Sequence, residues 1–512
     1  MLSSSKQIKF GAIVSYVSIA VNMLCGILYT PWMIRMIGSS DYGLYTLATS
    51  IISLVTVDFG MGMAVSRFLS KYRAEGKQEE ANNFVAVVYK LYAVITLILL
   101  AALFVIYQYI DVIGAKLTAD ELAKFRVIFV IVAAATVICF PFATTDGMLT
   151  SYEKFIQAKL CDLFNRVVTV ILVVVVLSMG YGLFALVATN MALNVITVFL
   201  KLYLLRKSTP LRVNWKYFSK STLKLVLGFS VWVTVTSLAQ RLVINITPTI
   251  LGAVSGSAAI AIFSVAKNLE YFAFVLTNAI RGMFMPKISR ILAKNDGSER
   301  ADILPLMVKV GRFQTYIIGL IIVGFLAVGR TFIHFWVGDE YQLSYYCFIF
   351  LVLLDIIEYP QQIADTTLVA TNNVKIRAII AVITGVLNVA LSLFLSSRWG
   401  ALGAACSVFA VTAVRMIANN IAYKKILKLD LRRFYKECYL SILPTMGIAL
   451  AVGLLLSFLI NATSVVFLAL EILAISGVYM ISAWFISFNQ YEKNSARKAL
   501  GKIKKLCTAF KK

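Results

Sequence analysis

Long apolar runs recur from one end of this chain to the other. Leu91–Tyr107, Val167–Leu177 and Ile448–Ile460 contain no charged residue at all. A run of roughly 18 or more mostly apolar residues is long enough to cross a bilayer as a helix. Hydrophobic residues make up 60% of the sequence and charged residues 14%. Soluble domains average about 45–50% and about 25%. The chain therefore reads as an all-α integral membrane protein. Breaks at Gly, Pro, Asn and charge clusters divide it into about fourteen transmembrane helices. They fall near 10–33, 42–66, 84–109, 126–149, 158–179, 182–205, 223–252, 257–285, 306–330, 343–369, 376–396, 400–423, 438–460 and 464–488. The first of them lacks a small-residue cleavage site and is too long for a signal peptide, so it is expected to stay as a span.

The formal charge is +25, from 49 basic and 24 acidic residues. Such an excess would suit nucleic acid, but its placement argues for topology instead. Most Lys and Arg lie at the termini or in the even-numbered connections. Arg35, Lys116, Lys124, Arg126, Arg330 and Arg398 fall on the opposite side. The positive-inside rule then puts both termini in the cytoplasm. Clusters such as Arg67-Lys71-Arg73-Lys77 and Lys424-Lys425-Lys428-Arg432-Arg433 are expected to touch anionic membrane lipids. The external connections are short, so no ectodomain is available for an enzyme. Seven cysteines, Cys25, Cys139, Cys161, Cys347, Cys406, Cys438 and Cys507, show no CxxC or paired spacing, so they read as apolar fillers. His334 has no ligand-like partners, and Trp32, Trp336 and Trp399 fit an interfacial aromatic belt.

A weak repeat of about 218–221 residues runs through the sequence. Pro31 to Gly38-Ser39 resembles Pro248 to Gly256-Ser257, Asp146-Gly147-Met148-Leu149 falls where Asp365-Thr366-Thr367-Leu368 falls, and Gly180-Tyr181-Gly182 matches Gly400-Ala401-Leu402-Gly403. Each half holds six spans, an even number, so the halves run parallel. The expected organisation is two six-helix pseudo-symmetric halves, 1–205 and 206–437, an appended pair of helices, 438–488, and a basic tail, 489–512.

The charges inside the spans are the candidate functional residues. Arg241 lies 13 residues before Val254 and Lys267 lies 13 after it, in the hairpin of spans seven and eight. At ~1.5 Å per residue both are expected roughly 20 Å from that turn, near mid-membrane. Each belongs to a polar helical face: Ser230-Thr234-Ser237-Arg241-Asn245, and Ser264-Lys267-Tyr271-Asn278-Arg281. Span one adds Ser15-Ser18-Asn22-Gly26-Tyr29 and span two Thr46-Thr49-Ser53-Thr56-Gly60. Hydrocarbon cannot hydrogen-bond such faces, so they are expected to turn toward one another around a wet cavity. Its lining is expected to include Asn22, Ser237, Asn245, Tyr271 and Asn278. Arg241, Lys267 and Arg281 would receive an anion, Arg241 by a bidentate grip. The competing reading is a buried ion pair, with Glu270 or Asp355 as counter-charge. Span ten carries Asp355-Glu358-Gln362-Asp365 beside Pro360, an expected kink. These acids, with Glu270, either bind a coupling proton or sodium ion or neutralise the cations. Asp58 and Glu471 are isolated and carry less weight.

The segment from Phe10 to Tyr72 resembles the Wzx-type polysaccharide-biosynthesis flippases, members of the multidrug/oligosaccharidyl-lipid/polysaccharide exporter superfamily. The features that match are Asn22, the Pro31–Arg35–Gly38 exit, Asp41-Tyr42-Gly43-Leu44-Tyr45, Asp58-Phe59-Gly60 and Ser66-Arg67. The resemblance implies a fourteen-span transporter in the bacterial plasma membrane. Its cargo would be an undecaprenyl-pyrophosphate-linked oligosaccharide, as in O-antigen or capsule synthesis, and its partners a polysaccharide polymerase and chain-length proteins. No nucleic acid is expected from the placement of the basic residues, no metal from the scattered cysteines and lone histidine, and no cofactor beyond a coupling proton or sodium ion. Two alternatives stand beside this resemblance. A cation-coupled multidrug exporter would favour acids in the N-terminal cavity, and span one has none. A membrane polymerase or ligase would need a large external loop.

Overall fold

The computed structural model describes residues 4–56, 60–294, 303–371, 373–460 and 464–497. In chain order the helices are α1 (Ser4–Ile37), α2 (Ser39–Val55), α3 (Met61–Ala74), α4 (Gln78–Gln108), α5 (Ile110–Ile113), α6 (Ala119–Cys139), α7 (Thr145–Ser151), α8 (Phe155–Ser178), α9 (Leu183–Ser208) and α10 (Lys220–Ile244). They continue as α11 (Ile246–Val254), α12 (Ser257–Lys294), α13 (Ile303–Trp336), α14 (Gln342–Leu353), α15 (Asp355–Glu358), α16 (Gln362–Ala370), α17 (Val374–Ile426), α18 (Leu431–Tyr435), α19 (Leu443–Ile460) and α20 (Val465–Ser482). No strand occurs among the described residues. Eleven stretches among them are long and apolar enough to cross a membrane. Large side chains such as Leu28, Phe458 and Phe485 stand well exposed, which suits a surface facing lipid.

The expected spans differ from these helices where the backbone breaks. Span two becomes α2 and α3, because Gly60 enters α3 in the left-handed region at φ 66°. Span seven breaks at Asn245 into α10 and α11, just ahead of Pro248. A proline lacks the N–H that would reach back to the Ile244 carbonyl; just before the break, the side chain of Asn388 donates to the carbonyls of Leu242 (3.1 Å) and Val243 (3.4 Å). Spans eleven and twelve merge into the 53 residues of α17, kinked at Gly400 with φ 55°. Span ten kinks as expected. Tyr359–Gln361 form a 3₁₀ turn containing Pro360, and the Tyr439 hydroxyl takes the carbonyl of Ile356 (3.1 Å), four residues before that proline.

These breaks carry the repeat. Gly38 (φ 85°) and Gly256 (φ 88°) open α2 and α12, and Gly180 (φ 85°) precedes α9 as Gly400 precedes the second half of α17. Pro141 sits in a 3₁₀ turn after α6, as Pro360 does after α15. The halves thus repeat their irregularities as well as their hydropathy.

By contact the chain forms two compact units, Met1–Asn268 with Asn372–Ala418, and Leu269–Thr371 with Asn419–Lys512. In the first, α2 and α6 pack along each other, with Leu44, Leu47, Phe125 and Phe129 fully enclosed. In the second, α13 is the axis. Tyr316, Val323 and Val328 pack with Ala449 of α19 and with Ile475 and Tyr479 of α20. Arg312 anchors this unit from within. Its Nε and Nη2 donate to Glu492 (2.6 and 2.9 Å), Nη1 to the Glu437 carbonyl (2.7 Å), and Nη2 also to the Ser487 carbonyl (2.6 Å) and the Tyr316 hydroxyl (3.0 Å). A buried charge needs partners on every side, and here three separate segments supply them.

Removing one member of a buried ion pair costs about 3–5 kcal/mol because it strands the other. Arg312→Met is therefore expected to lower the melting temperature of the detergent-purified protein sharply. Adding Glu492→Leu should recover most of the loss. Equal melting of the single and double variants would contradict this account.

Candidate substrate cavity

Inside the first unit, α2, α6, α8 and α9 line an open cavity of about 510 Å³. Its polar wall consists of Thr49, Ser53 and Thr56 on α2, Thr136 on α6, Asp162 and Asn165 on α8, and Asn194, Thr197 and Lys201 on α9. Ile52, Val132 and Met191 fill the apolar side. The threonines satisfy their own donors locally: Thr49 bonds the Tyr45 carbonyl (3.0 Å), Thr56 that of Ile52 (2.8 Å) and Thr136 that of Val132 (2.7 Å). A hydroxyl bonded this way keeps acceptor capacity. Asn165 donates to Asn194 Oδ1 (3.0 Å) and accepts from Thr169 (3.0 Å), which fixes both amides.

Lys201 is the electrostatic centre. Its Nζ lies 2.9 Å from Asp146 of α7 and 2.7 Å from Asp162 of α8. The lysine is buried while both carboxylates remain partly exposed. One ammonium thus ties three helices, and both acids near the cavity are already bonded to a cation.

Arg241, which does not itself line this cavity, bonds a residue that does. On α10 it donates through Nη1 to the main-chain carbonyl of Ser53 and to Ser53 Oγ (3.3 Å), and Asn245 donates to the same Oγ (2.9 Å). Ser53 belongs to the wall, so the guanidinium is fixed against it. Lys267 is half-buried on α12, and the next residue, Asn268, donates to the Tyr42 hydroxyl (2.8 Å). Along α2 the two contacts fall about 16 Å apart at 1.5 Å per residue. Asn22 folds its amide back on the Ser18 carbonyl (2.8 Å), and Ser237 is half-buried on α10.

The second unit gathers the acids. Tyr359 donates to Glu270 (3.1 Å) and lies in the field of Asp355 and Glu358. Asp355 is buried, whereas Glu358 and Asp365 are half-buried. Tyr271 is exposed and stacks on Phe274, which meets Tyr359 edge-on at 5.8 Å. The Asn278 amide nitrogen is buried without a hydrogen-bond partner. The side chains of Arg281, Ser15 and Ser230 lie outside the described residues, as does Asp58 altogether. Among the described residues no group of three or more His, Cys, Asp or Glu is arranged to hold a metal ion.

Residues 8–292 match the family described as polysaccharide biosynthesis protein, which is more than half of the chain. The chain belongs to that family. No curated protein matches its sequence. Among solved structures it is similar to the lipid II flippase MurJ in an inward closed conformation, with 17% identity and a TM-score of 0.69, covering 93% of this chain and 98% of that one. It is also similar to an inward-facing multidrug resistance MATE transporter, with 14% identity and a TM-score of 0.64, over 81% of this chain and 98% of that one. A third likeness is to the MATE multidrug transporter DinF-BH, at 16% identity and a TM-score of 0.63, over 84% and 99%. The chain is thus a multi-pass membrane protein with the fold seen in these flippase and transporter structures.

Lys201, Asn165 and Asn194 went unmarked in the sequence, although the signal was present. Asn194-Thr197-Lys201 and Asp162-Asn165-Thr169 step by three and four like the stripe of Arg241. What hydropathy lacked was the partner: Asp146 lies 55 residues from Lys201.

Lys201→Met should strand two carboxylates beside the cavity. Because both remain partly in contact with solvent, the cost is expected nearer 1–3 kcal/mol than that of a fully buried pair. Thermal melting checks this, and Asp162→Asn combined with Lys201→Met should soften the loss. An unchanged melting temperature in Lys201→Met would show that the lysine ties nothing.

Proposed function

We propose that this protein moves undecaprenyl-pyrophosphate-linked oligosaccharides from the cytoplasmic to the outer leaflet of a bacterial plasma membrane by alternating access. One observation carries the reading: a guanidinium bonded to Ser53, a lining residue of a cavity that presents hydroxyls and amides on a largely apolar wall. Arg241 suits a pyrophosphate, since its planar fork matches phosphate oxygens and Ser53 sets its orientation. Thr49, Thr56, Thr136, Asn165 and Asn194 suit sugar hydroxyls, which both donate and accept. The volume falls within the ~300–1,000 Å³ usual for ligand sites. The prenyl tail stays in the bilayer. Lys267 contributes a second positive charge, and Arg281 extends the basic face of α12 in sequence.

A cationic drug would need an acid not already bonded to a cation. Asp146 and Asp162 both bond Lys201, which favours the glycolipid over that cargo. Coupling falls to the second unit, where Glu270, Asp355, Glu358 and Tyr359 gather around the Pro360 turn. A proton or sodium ion bound among these acids would change their net charge and with it the balance between conformations. Polymerase and chain-length proteins would act on the delivered glycan.

Losing a charge-assisted hydrogen-bond pair costs about 1.5–3 kcal/mol. Arg241→Ala is therefore expected to weaken binding of undecaprenyl pyrophosphate to the purified protein roughly 10- to 150-fold, with Arg241→Lys between. Export of surface glycan should fail in the alanine variant while the protein still inserts. Unaltered affinity and export in Arg241→Ala would remove the reading. Asp355→Asn or Glu358→Gln should abolish dependence of export on an ion gradient. Dependence that persists in both variants would leave those acids as counter-charges.

A further inference from the structure

Glu121 holds three helix ends together where the chain turns at one side of the bundle. It first closes a capping box on its own helix: Thr118 Oγ1 accepts from the Glu121 N–H (3.3 Å), and Thr118 N–H donates to Glu121 Oε2 (2.9 Å). A capping box needs only that one oxygen. The other, Oε1, accepts from Ser40 Oγ of α2 at 2.5 Å and from Ser257 Oγ of α12 at 2.6 Å. The two serines follow Gly38 and Gly256, the matching left-handed glycines of the two repeats. One carboxylate oxygen therefore joins the opening of the first repeat to the opening of the second.

The backbones close in behind this bond. A Cβ added to Gly43 would fall 2.2 Å from the Ser257 carbonyl oxygen, and one on Gly256 would fall 3.2 Å from that of Lys116. Lys124 pairs with Asp41 at 2.8 Å on the flank, and Asn268 bonds Tyr42 further in. By the charge bias of the connections, this side is the one away from the cytoplasm. The seal at Ser257 includes a hydroxyl on a carboxylate and a glycine against a carbonyl, with Gly252 of α11 seated on the Leu47 side chain beside it. The polar part of such a joint exchanges its hydrogen bonds for water when it parts.

We propose that Glu121 is the latch of the outer gate, and that release of cargo requires Ser257 at the head of α12 to leave Glu121 and Gly43 while the Thr118 capping box stays intact. The proposal rests on the alternating-access reading, but it can fail separately. Thr46 is half-buried on α2, about 9 Å inward of Ser40 at 1.5 Å per residue. In Thr46→Cys, labelling of that position by a membrane-impermeant maleimide added outside, mapped by peptide, should be slow. It should rise at least fivefold when Glu121→Ala or Ser257→Ala is added, with Glu121→Gln between. This arm needs no cargo, so it stands whatever the protein carries, and an unchanged labelling rate overturns the latch. In the second arm, Ser40→Cys with Ser257→Cys should cross-link on oxidation and stop glycan export, and reduction should restore it. Wild-type export by the cross-linked protein overturns the proposal, and so does absence of any cross-link, since the two helix ends would then not meet in the membrane.

Discussion

Hydrocarbon offers no hydrogen bonds, and nearly every polar feature of this protein follows from that constraint. Threonines inside helices turn their hydroxyls onto the preceding turn, as Thr96, Thr197 and Thr277 do on Tyr92, Leu193 and Ala273. Where Pro360 interrupts the ladder, the Tyr439 hydroxyl supplies the bond to the Ile356 carbonyl, and near the break before Pro248 the Asn388 amide donates to the Leu242 carbonyl. Charges obey the same rule at higher stakes. Arg312 draws partners from α13, the segment after α18 and the segment after α20, and Lys201 draws them from α7 and α8. The folding of each unit and the placement of its charges are one problem with one solution.

The cavity is the exception that this economy permits. Its threonines have met their donors locally and its two asparagines have met one another, so the wall is polar without being starved of partners. A wall in that condition keeps acceptor capacity for a ligand without destabilising the empty state. Arg241 adds directed positive charge at Ser53, at the edge of this wall rather than in its centre. A headgroup that is anionic at one end and hydroxylated beyond it fits that order.

The architecture was largely legible in the sequence because hydropathy and helix-breaking residues act locally. The repeat could be read from Gly38 and Gly256, Gly180 and Gly400, and the structure gives each of them a positive φ. Pro360 announced its kink. The polar stripe of α10 led to Arg241 and Asn245, and both do converge, on Ser53. What could not be read was pairing across sequence distance. Nothing local says that Lys201 will find Asp146 and Asp162, or that Arg312 near the start of α13 will be answered from Glu492. Helix ends were blurred for a related reason. The merged α17 and the broken α2–α3 preserve the apolar run while changing the backbone within it, and hydropathy sees only the run.

The placement of strong and weak joints divides the molecule more sharply than helix count does. Elsewhere in each unit, helices are fastened by ion pairs and packed aromatics, which lose heavily if pulled apart. The joint between the heads of α2, α6 and α12 uses hydroxyls on one carboxylate oxygen and glycine backbones in contact. Bonds of that kind can be exchanged for bonds to water once the two sides separate, at less cost than stranding one member of a buried ion pair. The alternating access proposed above would need segments that keep their shape and a seam that can open near equilibrium. Under that reading, charges deep in the helices supply the permanence, and serine with glycine at the turns the reversibility.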